Sequence, residues 1–490
     1  MTKKSQLTFD QLCKEFFELE REENLYEWEV SGVQVWTLIR SKLLLYIAGQ
    51  TGIFDHSKTR STRPATANPR LPGKTSAELL VSYTIGWRWH LRAILPKSKD
   101  VRVAKWLKAT ELVMPFSTRN QQGVDQHSQG LLEVLGDDAL VLGRGAWDVN
   151  TDRPHSGELQ KRAGKYTKPW FAAMVRLSVT KSDRTKWSRI VKRLQKVSGA
   201  ALGRHAAFPS GYVHNYLAEQ HFYRTIFRRI PIRRMYIVNA TSMNLMGALQ
   251  SIGVPTIELQ NGLFSEQGMQ FHWPGRPKIK YLPAEIWTWG GIWTEGIENA
   301  GNQTVRVIGS NSALNLAREK QAHQAQGWVR NSSQVTVMSQ PYLAMDLFKA
   351  AIEIANMTPK SQVIFKNHPR DDMSQFEPLL ASKSLPKNFR ISKSDETSLQ
   401  LCASSEVVVG AFSATLLEAL GLGAKVGILK MSGWESLDRL IKGNYAKAFD
   451  TAEDLAANLQ NLPTPKDPLH FYGPKADLAR EISELRKRTP

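Results

Sequence analysis

The sequence has few cysteines, no long apolar segment and no Asp-x-Asp pair. Only Cys13 and Cys402 occur among 490 residues, without a CxxC or a Cys/His cluster, which excludes a disulfide framework and a structural zinc site. No run approaches the roughly 18 apolar residues that a spanning helix requires. The residues after Met1 lack the apolar core of a signal peptide. We therefore expect a cytoplasmic protein, either soluble or peripheral to a membrane.

Composition is typical of a folded protein with two or three domains. Apolar residues make up 42% and charged residues 22%, which excludes wholesale disorder. The formal net charge is +20, and most of it lies in one segment. Residues 161–234 hold 18 basic and 2 acidic side chains, a net of +16. This excess indicates an anionic partner.

Within the basic segment, Arg184–Val197 has the periodicity of an amphipathic helix. Its apolar side chains at helical spacing are Trp187, Ile190, Val191, Leu194 and Val197. Its basic side chains lie elsewhere on the helix, at Lys186, Arg189, Lys192, Arg193 and Lys196. Two interpretations remain open: the stripe packs on the protein's own core, or the segment docks on the inner face of the cytoplasmic membrane. Nucleic acid is not favoured as a partner, because no RNP-type motif or zinc finger occurs.

Short β-branched runs alternate with helical patterns in both halves of the chain. In the first half the predicted strands are Glu111–Phe116, Ala139–Leu142, Met235–Asn239, Thr256–Leu259, Ile286–Trp289 and Val305–Ile308. In the second half they are Val335–Met338, Val363–Phe365, Phe389–Ile391, Val407–Val409 and Val426–Leu429. Such alternation predicts βαβ units, and so an α/β fold with two Rossmann-like parallel-sheet domains facing across a cleft.

The domain organisation follows from where these patterns begin and end. Residues 1–76 are predicted to form a helical extension and linker. Residues 77–315 are predicted to form the first Rossmann-like domain, which contains the basic insertion 161–234. Residues 330–465 are predicted to form the second Rossmann-like domain. A C-terminal helix follows at 466–490.

Polar residues directly follow the predicted strand Val363–Phe365. In an open parallel sheet, ligands bind outside the carboxyl ends of the strands. Lys366, His368 and Arg370 lie at this position, and Pro369 restricts His368 to an extended backbone. An imidazole between two cations suits a phosphate leaving group, because it donates a proton while the cations stabilise negative charge.

A second set follows the strand Val407–Val409. Gly410 ends the strand, and Ser413 stands where a helix N-cap belongs, with Thr415 in the first turn. Exposed N–H groups and hydroxyls at a helix N-terminus form an anion site. Glu418, further along the helix, is placed to reach ribose hydroxyls.

A third set lies in the first domain, after the strands Thr256–Leu259 and Ile286–Trp289. It comprises Gln260, Asn261, Gly262 and Gly290. Gly262 permits a tight turn close to a ligand.

Two carboxylates of the first domain are candidates for the catalytic base. Asp125 is in the loop after Glu111–Phe116 together with His127, and Glu258 is at the end of Thr256–Leu259. Without an Asp-x-Asp pair, we expect neither a metal ion nor another cofactor.

The order and spacing of these motifs resemble GT-B glycosyltransferases of bacterial surface-polysaccharide synthesis. The resemblance covers roughly residues 235–460. It consists of Gln260-Asn261-Gly262, Trp289-Gly290, Val307–Ser310, Lys366-Asn-His368-Pro369 and Ser413…Glu418. Sialyltransferases and Kdo transferases that use CMP-activated sugars share this layout, as do the related CDP-glycerol glycerophosphotransferases.

The resemblance implies roles for these residues in capsule or lipopolysaccharide synthesis. His368 would contact and protonate the donor phosphate, while Ser413 and Thr415 bind it and Asp125 or Glu258 serves as base. Asn261 stands where the family commonly has His, and an amide cannot relay a proton.

The implied activity is transfer of a CMP-activated ulosonic acid to a surface glycan or lipid-linked acceptor. The resemblance also implies that the domain 77–315 contacts the acceptor and that the domain 330–465 binds the nucleotide donor. Transfer of glycerol phosphate from CDP-glycerol is the alternative within the family. A non-catalytic protein that binds membranes or polyanions is the alternative from another class.

Overall fold

The computed structural model describes residues 7–54, 109–115, 125, 127–142, 168–239, 242–309, 331–369, 371–381, 385–465, 471 and 477–488. The linker predicted within residues 1–76 lies largely outside these ranges, as does the predicted site residue Arg370. No helix in the described ranges is long and apolar enough to cross a membrane.

The first half contains a sheet of six parallel strands in the order β4-β3-β5-β6-β7-β8. A two-stranded ribbon precedes it, formed by β1 (Glu29–Val30) and β2 (Val33–Gln34). The strands of the sheet are β3 (Glu111–Met114), β4 (Ala139–Val141), β5 (Arg234–Val238), β6 (Thr256–Leu259), β7 (Glu285–Thr288) and β8 (Thr304–Val307). Each strand predicted in this half is present, with small shifts of its ends.

Seven α-helices accompany these strands in the described part of the first half. They are α1 (Phe9–Glu22), α2 (Val35–Gln50), α3 (Gln129–Leu135), α4 (Lys168–Ser178), α5 (Lys181–Ser198), α6 (Ser210–Phe227) and α7 (Met243–Gln250).

The second half contains another parallel sheet, in the order β11-β10-β9-β12-β13-β14. Its strands are β9 (Asn331–Met338), β10 (Gln362–Lys366), β11 (Phe389–Ile391), β12 (Ser405–Gly410), β13 (Lys425–Leu429) and β14 (Lys447–Phe449). The edge strand β14 was not predicted, because its residues Lys447–Phe449 include no β-branched side chain. Read in chain order this arrangement is 3-2-1-4-5-6, the order of a doubly wound Rossmann sheet, with its switch point between β9 and β12. The predicted α/β class is confirmed.

The helices described in the second half are shorter. They are α8 (Ala344–Met357), α9 (Glu377–Leu380), α10 (Ser398–Ser404), α11 (Ala414–Gly421), α12 (Asp438–Lys442), α13 (Ala452–Ala457) and α14 (Leu478–Arg488). The last of them returns to the first sheet, where Arg234 donates a hydrogen bond to the carbonyl oxygen of Leu485 over 3.2 Å.

The apolar stripe of α5 is buried against the N-terminal helices. Trp187, Ile190, Val191 and Leu194 are at most 6% exposed and share one core with residues of α1 and α2. Of the two interpretations of this helix, the structure therefore supports packing on the protein's own core. A bilayer-facing role for these four side chains is wrong, because they are not accessible to lipid.

The two sheets meet through their carboxyl ends. Trp289, which follows β7, belongs to the same apolar cluster as Met338 at the end of β9 and Leu416 of α11. Arg439 of α12 extends this contact by donating hydrogen bonds to the carbonyl oxygens of Trp293 (3.1 Å) and Glu295 (3.3 Å). We call residues 260–264 and 289–293 the N-sheet edge, and residues 339–342, 367–369, 371 and 411–413 the C-sheet edge.

Candidate functional site

The turn after β10 carries His368 and is closed by a carboxylate. Oδ2 of Asp371 accepts a hydrogen bond from the backbone N–H of His368 over 2.7 Å, and the N–H of Asp371 returns to the carbonyl oxygen of His368 over 2.9 Å. His368 is half-buried at the C-sheet edge, as the sequence predicts. The turn therefore holds the backbone at His368 in one conformation.

Lys366, the last residue of β10, is partly buried beside this turn. Its ammonium donates a hydrogen bond to the carbonyl oxygen of Glu396 over 2.6 Å. Burial lowers the pKa of Lys366, while the charge of Glu396 opposes that effect. One N–H of the ammonium group is thus bound to the protein. The predicted binding of an anion would use the other two N–H groups.

Two residues after β9 belong to the C-sheet edge and were missed in the sequence. Ser339 donates a hydrogen bond to Oδ2 of Asp371 over 2.6 Å, and Oε1 of Gln340 accepts the backbone N–H of Phe412 over 2.9 Å. Both side chains are buried. The Gln340–Phe412 bond joins the ends of β9 and β12 across the switch point. The signal was available, since both residues directly follow the predicted strand Val335–Met338.

Ser413 is the N-cap of α11, as its position in the sequence predicts. Its Oγ accepts the backbone N–H of Thr415 over 3.2 Å. A Cβ added at Gly410 would lie 3.2 Å from a methyl carbon of Leu416, so glycine allows α11 to pack closely on β12. Gly410, Ser413 and Thr415 therefore lie together at the carboxyl end of β12.

Glu418 lies further along α11 and has an unusual carboxyl group. Burial raises its pKa to about 7. In the described part of the chain its side chain forms no ion pair or hydrogen bond. Without a cation or hydrogen-bond donor beside it, removal from water disfavours the charged form of the carboxyl group.

At the N-sheet edge, the buried side chain of Gln260 links the ends of β6 and β7. Its Oε1 accepts the N–H of Trp289 over 2.8 Å, and its Nε2 donates to the carbonyl oxygen of Gly262 over 2.9 Å. Gln260 thus shapes the backbone of this edge. Asn261 and Gly262 are half-buried, and a Cβ added at Gly262 would meet nothing within 4 Å. Gly290 follows Trp289 with an extended backbone.

Asp125 and His127 lie against this edge. The His127 ring stacks on Trp289, with centroids 5.8 Å apart and planes 11° from parallel. Burial lowers the pKa of His127, and the charge of Asp125 partly offsets this. The buried Asp125 carboxylate accepts hydrogen bonds from Ser128 Oγ (2.7 Å) and from the His127 N–H (3.2 Å). Both residues thereby reach the junction between the sheets.

Glu258, the other candidate base, lies inside β6 and not at its end. It is 2% exposed and pairs in register with Ile237 and Ile286 of the neighbouring strands. The structure therefore brings Asp125, Gln260 and Gly290 together at the N-sheet edge, whereas Glu258 lies within the strand β6.

The segment that follows α2 reaches the C-sheet edge, which the sequence did not indicate. The Phe54 ring lies 5.4 Å from that of Tyr342 and 6.1 Å from that of Phe412, measured between centroids.

Within the described ranges, no group of three or more His, Cys, Asp or Glu side chains is placed to hold a metal ion. Independence from metal stays a prediction.

The fold and the two edges define an α/β protein of the GT-B type, with two doubly wound parallel sheets that meet at their carboxyl ends. No protein-family model and no curated protein sequence matches the chain.

Several solved structures are similar at low identity. The UDP-GlcNAc 2-epimerase from Methanocaldococcus jannaschii is 11% identical with a TM-score of 0.45, over 77% of this chain and 100% of that chain. The calicheamicin glycosyltransferase CalG4 is 10% identical with a TM-score of 0.46, over 78% and 98%. An α,α-trehalose-phosphate synthase (UDP-forming) from Burkholderia vietnamiensis is 9% identical with a TM-score of 0.40, over 77% and 100%. At these values the likeness carries no information about the substrate of this protein.

Proposed function

We propose that this protein is a metal-independent glycosyltransferase that moves a sugar from a nucleotide donor to a surface glycan or lipid-linked acceptor. The observation that carries the proposal is the C-sheet edge. There, polar side chains after β9, β10 and β12 converge at the switch point of a Rossmann sheet, where such sheets bind nucleotides.

In this proposal His368 acts on the donor phosphate. The half-buried imidazole at the end of β10 donates a hydrogen bond or a proton to the leaving phosphate oxygen. Lys366 supplies positive charge beside it. The same role is proposed for Arg370 from its position in the sequence. Stabilising the leaving group is the main requirement of sugar transfer, because charge develops there in the transition state.

The N-terminus of α11 holds the rest of the donor. Its N–H groups and the hydroxyls of Ser413 and Thr415 bind phosphate oxygens, and Gly410 positions α11 by allowing it to pack closely on β12. Glu418 accepts hydrogen bonds from ribose hydroxyls. Binding there would supply the polar partners that its carboxylate lacks within the described chain.

The acceptor lies at the N-sheet edge, with Asp125 as base. The supporting observation is that His127, whose N–H binds Asp125, stacks on Trp289, which packs in the same cluster as the end of β9. Gln260, Asn261, Gly262 and Gly290 shape the surface between acceptor and donor. Glu258 is the less suitable base because of its burial in β6.

We further propose that the donor is a CMP-activated ulosonic acid such as sialic acid or Kdo. This step depends on the resemblance of the Lys366–Pro369 and Ser413–Glu418 motifs to enzymes that use such donors. CDP-glycerol is the alternative donor, since the same side chains would hold its cytidine phosphate. In either case the enzyme would work at the inner face of the cytoplasmic membrane, where lipid-linked acceptors reside.

A nucleotide panel tests the proposal. Melting temperature is measured with CMP, CDP and UDP at millimolar concentration, because a ligand that binds only the native state raises it. We expect stabilisation by the cytidine nucleotides, and a smaller effect in Ser413→Ala. Stabilisation by UDP alone would indicate a uridine nucleotide as donor and contradict the cytidine nucleotide proposed here. No stabilisation by any of the three would contradict a nucleotide site.

A further inference from the structure

Helix α5 has three distinct faces, as the rotation of about 100° per residue shows. Trp187, Ile190, Val191 and Leu194 form the buried face described above. A second face, carrying Arg189 and Arg193, is turned toward α1. The third face is exposed and entirely basic among its charged residues. It consists of Lys181, Arg184, Lys192 and Lys196, which fall within an arc of about 120° between Val191 of the buried face and Arg189.

The second face is neutralised within the protein. Arg189 forms an ion pair with Glu23 over 2.7 Å. Arg193 forms ion pairs with three acidic side chains of α1, namely Glu15, Glu18 and Glu22. These cations therefore serve the packing of α5 on α1, and their charge is compensated within the protein.

The third face has no such compensation. Its four cations form no ion pair in the part of the chain that the structure describes. The acidic residue of α5, Asp183, caps the helix and accepts hydrogen bonds from Thr180 and from Trp28 Nε1 (2.8 Å). An uncompensated basic face of this kind attracts an anionic surface.

Exposed apolar side chains lie on the neighbouring helix α4. Leu177 is 88% exposed and Trp170 is 42% exposed, and their spacing of seven residues places them on the same side of the helix. Exposed Arg176 adjoins Leu177, and α5 begins four residues after it, at Lys181. A tryptophan, a leucine and basic side chains together are typical of helices that lie in a membrane interface.

We propose that exposed side chains of α4 and α5 (Trp170, Arg176, Leu177, Lys181, Arg184, Lys192 and Lys196), which we call the α4–α5 face, together rest on an anionic lipid bilayer. Leu177 and Trp170 enter the interface while the cations bind lipid phosphates. A lipid surface fits better than a soluble polyanion, since a polyanion would leave Leu177 in water. This inference rests on the attachment to the cytoplasmic membrane proposed above. It does not depend on the proposed transfer of a sugar.

Vesicle binding of the full chain tests the inference. Vesicles of phosphatidylglycerol and phosphatidylcholine are compared with vesicles of phosphatidylcholine alone, at low and high salt. We expect binding to the anionic vesicles that falls as salt rises. Lys181→Glu, Arg184→Glu, Lys192→Glu and Lys196→Glu combined should weaken binding by roughly 10²–10³-fold, at about fivefold for each lost cation.

A matched control separates this face from net charge. The control variant replaces four exposed lysines of the second half by Glu, at Lys349, Lys360, Lys387 and Lys447. It should retain most of the vesicle binding. Equal losses in the two variants, or wild-type binding by the α4–α5 variant, would overturn the inference.

Leu177→Ser distinguishes the two kinds of anionic partner. It should lower binding to anionic vesicles about tenfold and leave binding to dextran sulfate unchanged. Wild-type protein that binds dextran sulfate but no vesicles would identify a polyanion as the partner and overturn the lipid proposal. Melting shifts with nucleotides should stay the same in all variants, so that failure here is distinct from failure of the proposed reaction.

Discussion

Ser339 and Asp371 are joined by a hydrogen bond of 2.6 Å between Ser339 Oγ and Asp371 Oδ2. The bond ties the residue directly after β9 to the turn after β10. Because the same oxygen accepts the N–H of His368 over 2.7 Å, one carboxylate positions the proposed acid relative to two strands. The other oxygen, Oδ1, is buried without a hydrogen-bond partner in the described chain.

Asp371→Ala should therefore lower turnover about 10–100-fold through displacement of His368. Asp371→Asn should restore much of this, since an amide oxygen still accepts both bonds. The measurements are kcat and donor KM for both variants, with unfolding curves as a check on folding. Equal turnover in the alanine variant and the wild type would show that the turn does not depend on Asp371.

His368→Ala should lower turnover by roughly two to four orders of magnitude if the imidazole donates a proton. The backbone N–H at position 368 can still bind Asp371, so we expect the turn and the fold to persist. Single-turnover kinetics with saturating donor measure the effect, and the melting temperature serves as the control. Turnover like that of the wild type would remove His368 from the mechanism.

Ser413→Ala should mainly weaken nucleotide binding, by roughly 1–3 kcal/mol for a lost hydrogen bond to a charged group. Loss of the cap also costs about 1 kcal/mol of stability. Thr451→Ala is a matched control, because Thr451 caps α13 in the same domain. The control should lose similar stability with an unchanged nucleotide dissociation constant. Unchanged affinity in Ser413→Ala would refute the phosphate assignment.

Asp125→Asn should abolish most of the turnover if Asp125 is the base. An amide oxygen can still accept the hydrogen bond from Ser128, so the loop should remain folded. Glu258→Gln provides the comparison, and its buried position in β6 predicts an effect on stability more than on kcat. Both are assayed with saturating donor. Full activity of Asp125→Asn would place the base elsewhere.

Glu418 should make the protein less stable as pH rises from about 4.5 toward 7. Burial raises the pKa of its carboxyl group to about 7 in the folded state, so between these values the native state binds more protons than the unfolded state. The stability that the protonated form contributes is therefore lost on deprotonation. Glu418→Gln should flatten the pH dependence of the free energy of unfolding, measured by urea denaturation at pH 5 and pH 8. Parallel profiles for the two proteins would contradict the raised pKa.

The sequence determined the order of strands and helices along the chain and, from that, where the site residues stand. Short β-branched runs separated by helical periodicity leave few arrangements other than parallel βαβ units. Residues such as His368 and Ser413, which directly follow such runs, must then lie at the carboxyl edge of a sheet. The capping role of Ser413 is equally local, because its Oγ accepts a hydrogen bond from the backbone N–H of Thr415, two residues away.

Only the tertiary structure decided what covers each surface and which distant groups bond. The amphipathic pattern of α5 shows which face is apolar, and a core helix and a membrane helix share that pattern. Which side chains of α5 are buried, and which of its cations remain without an acidic partner in the described chain, depends on how α1 packs beside it. Arg193 reaches Glu22 across 171 positions of sequence, and Arg439 reaches Trp293 across 146. No local periodicity encodes such pairs, because they depend on how complete elements pack in three dimensions.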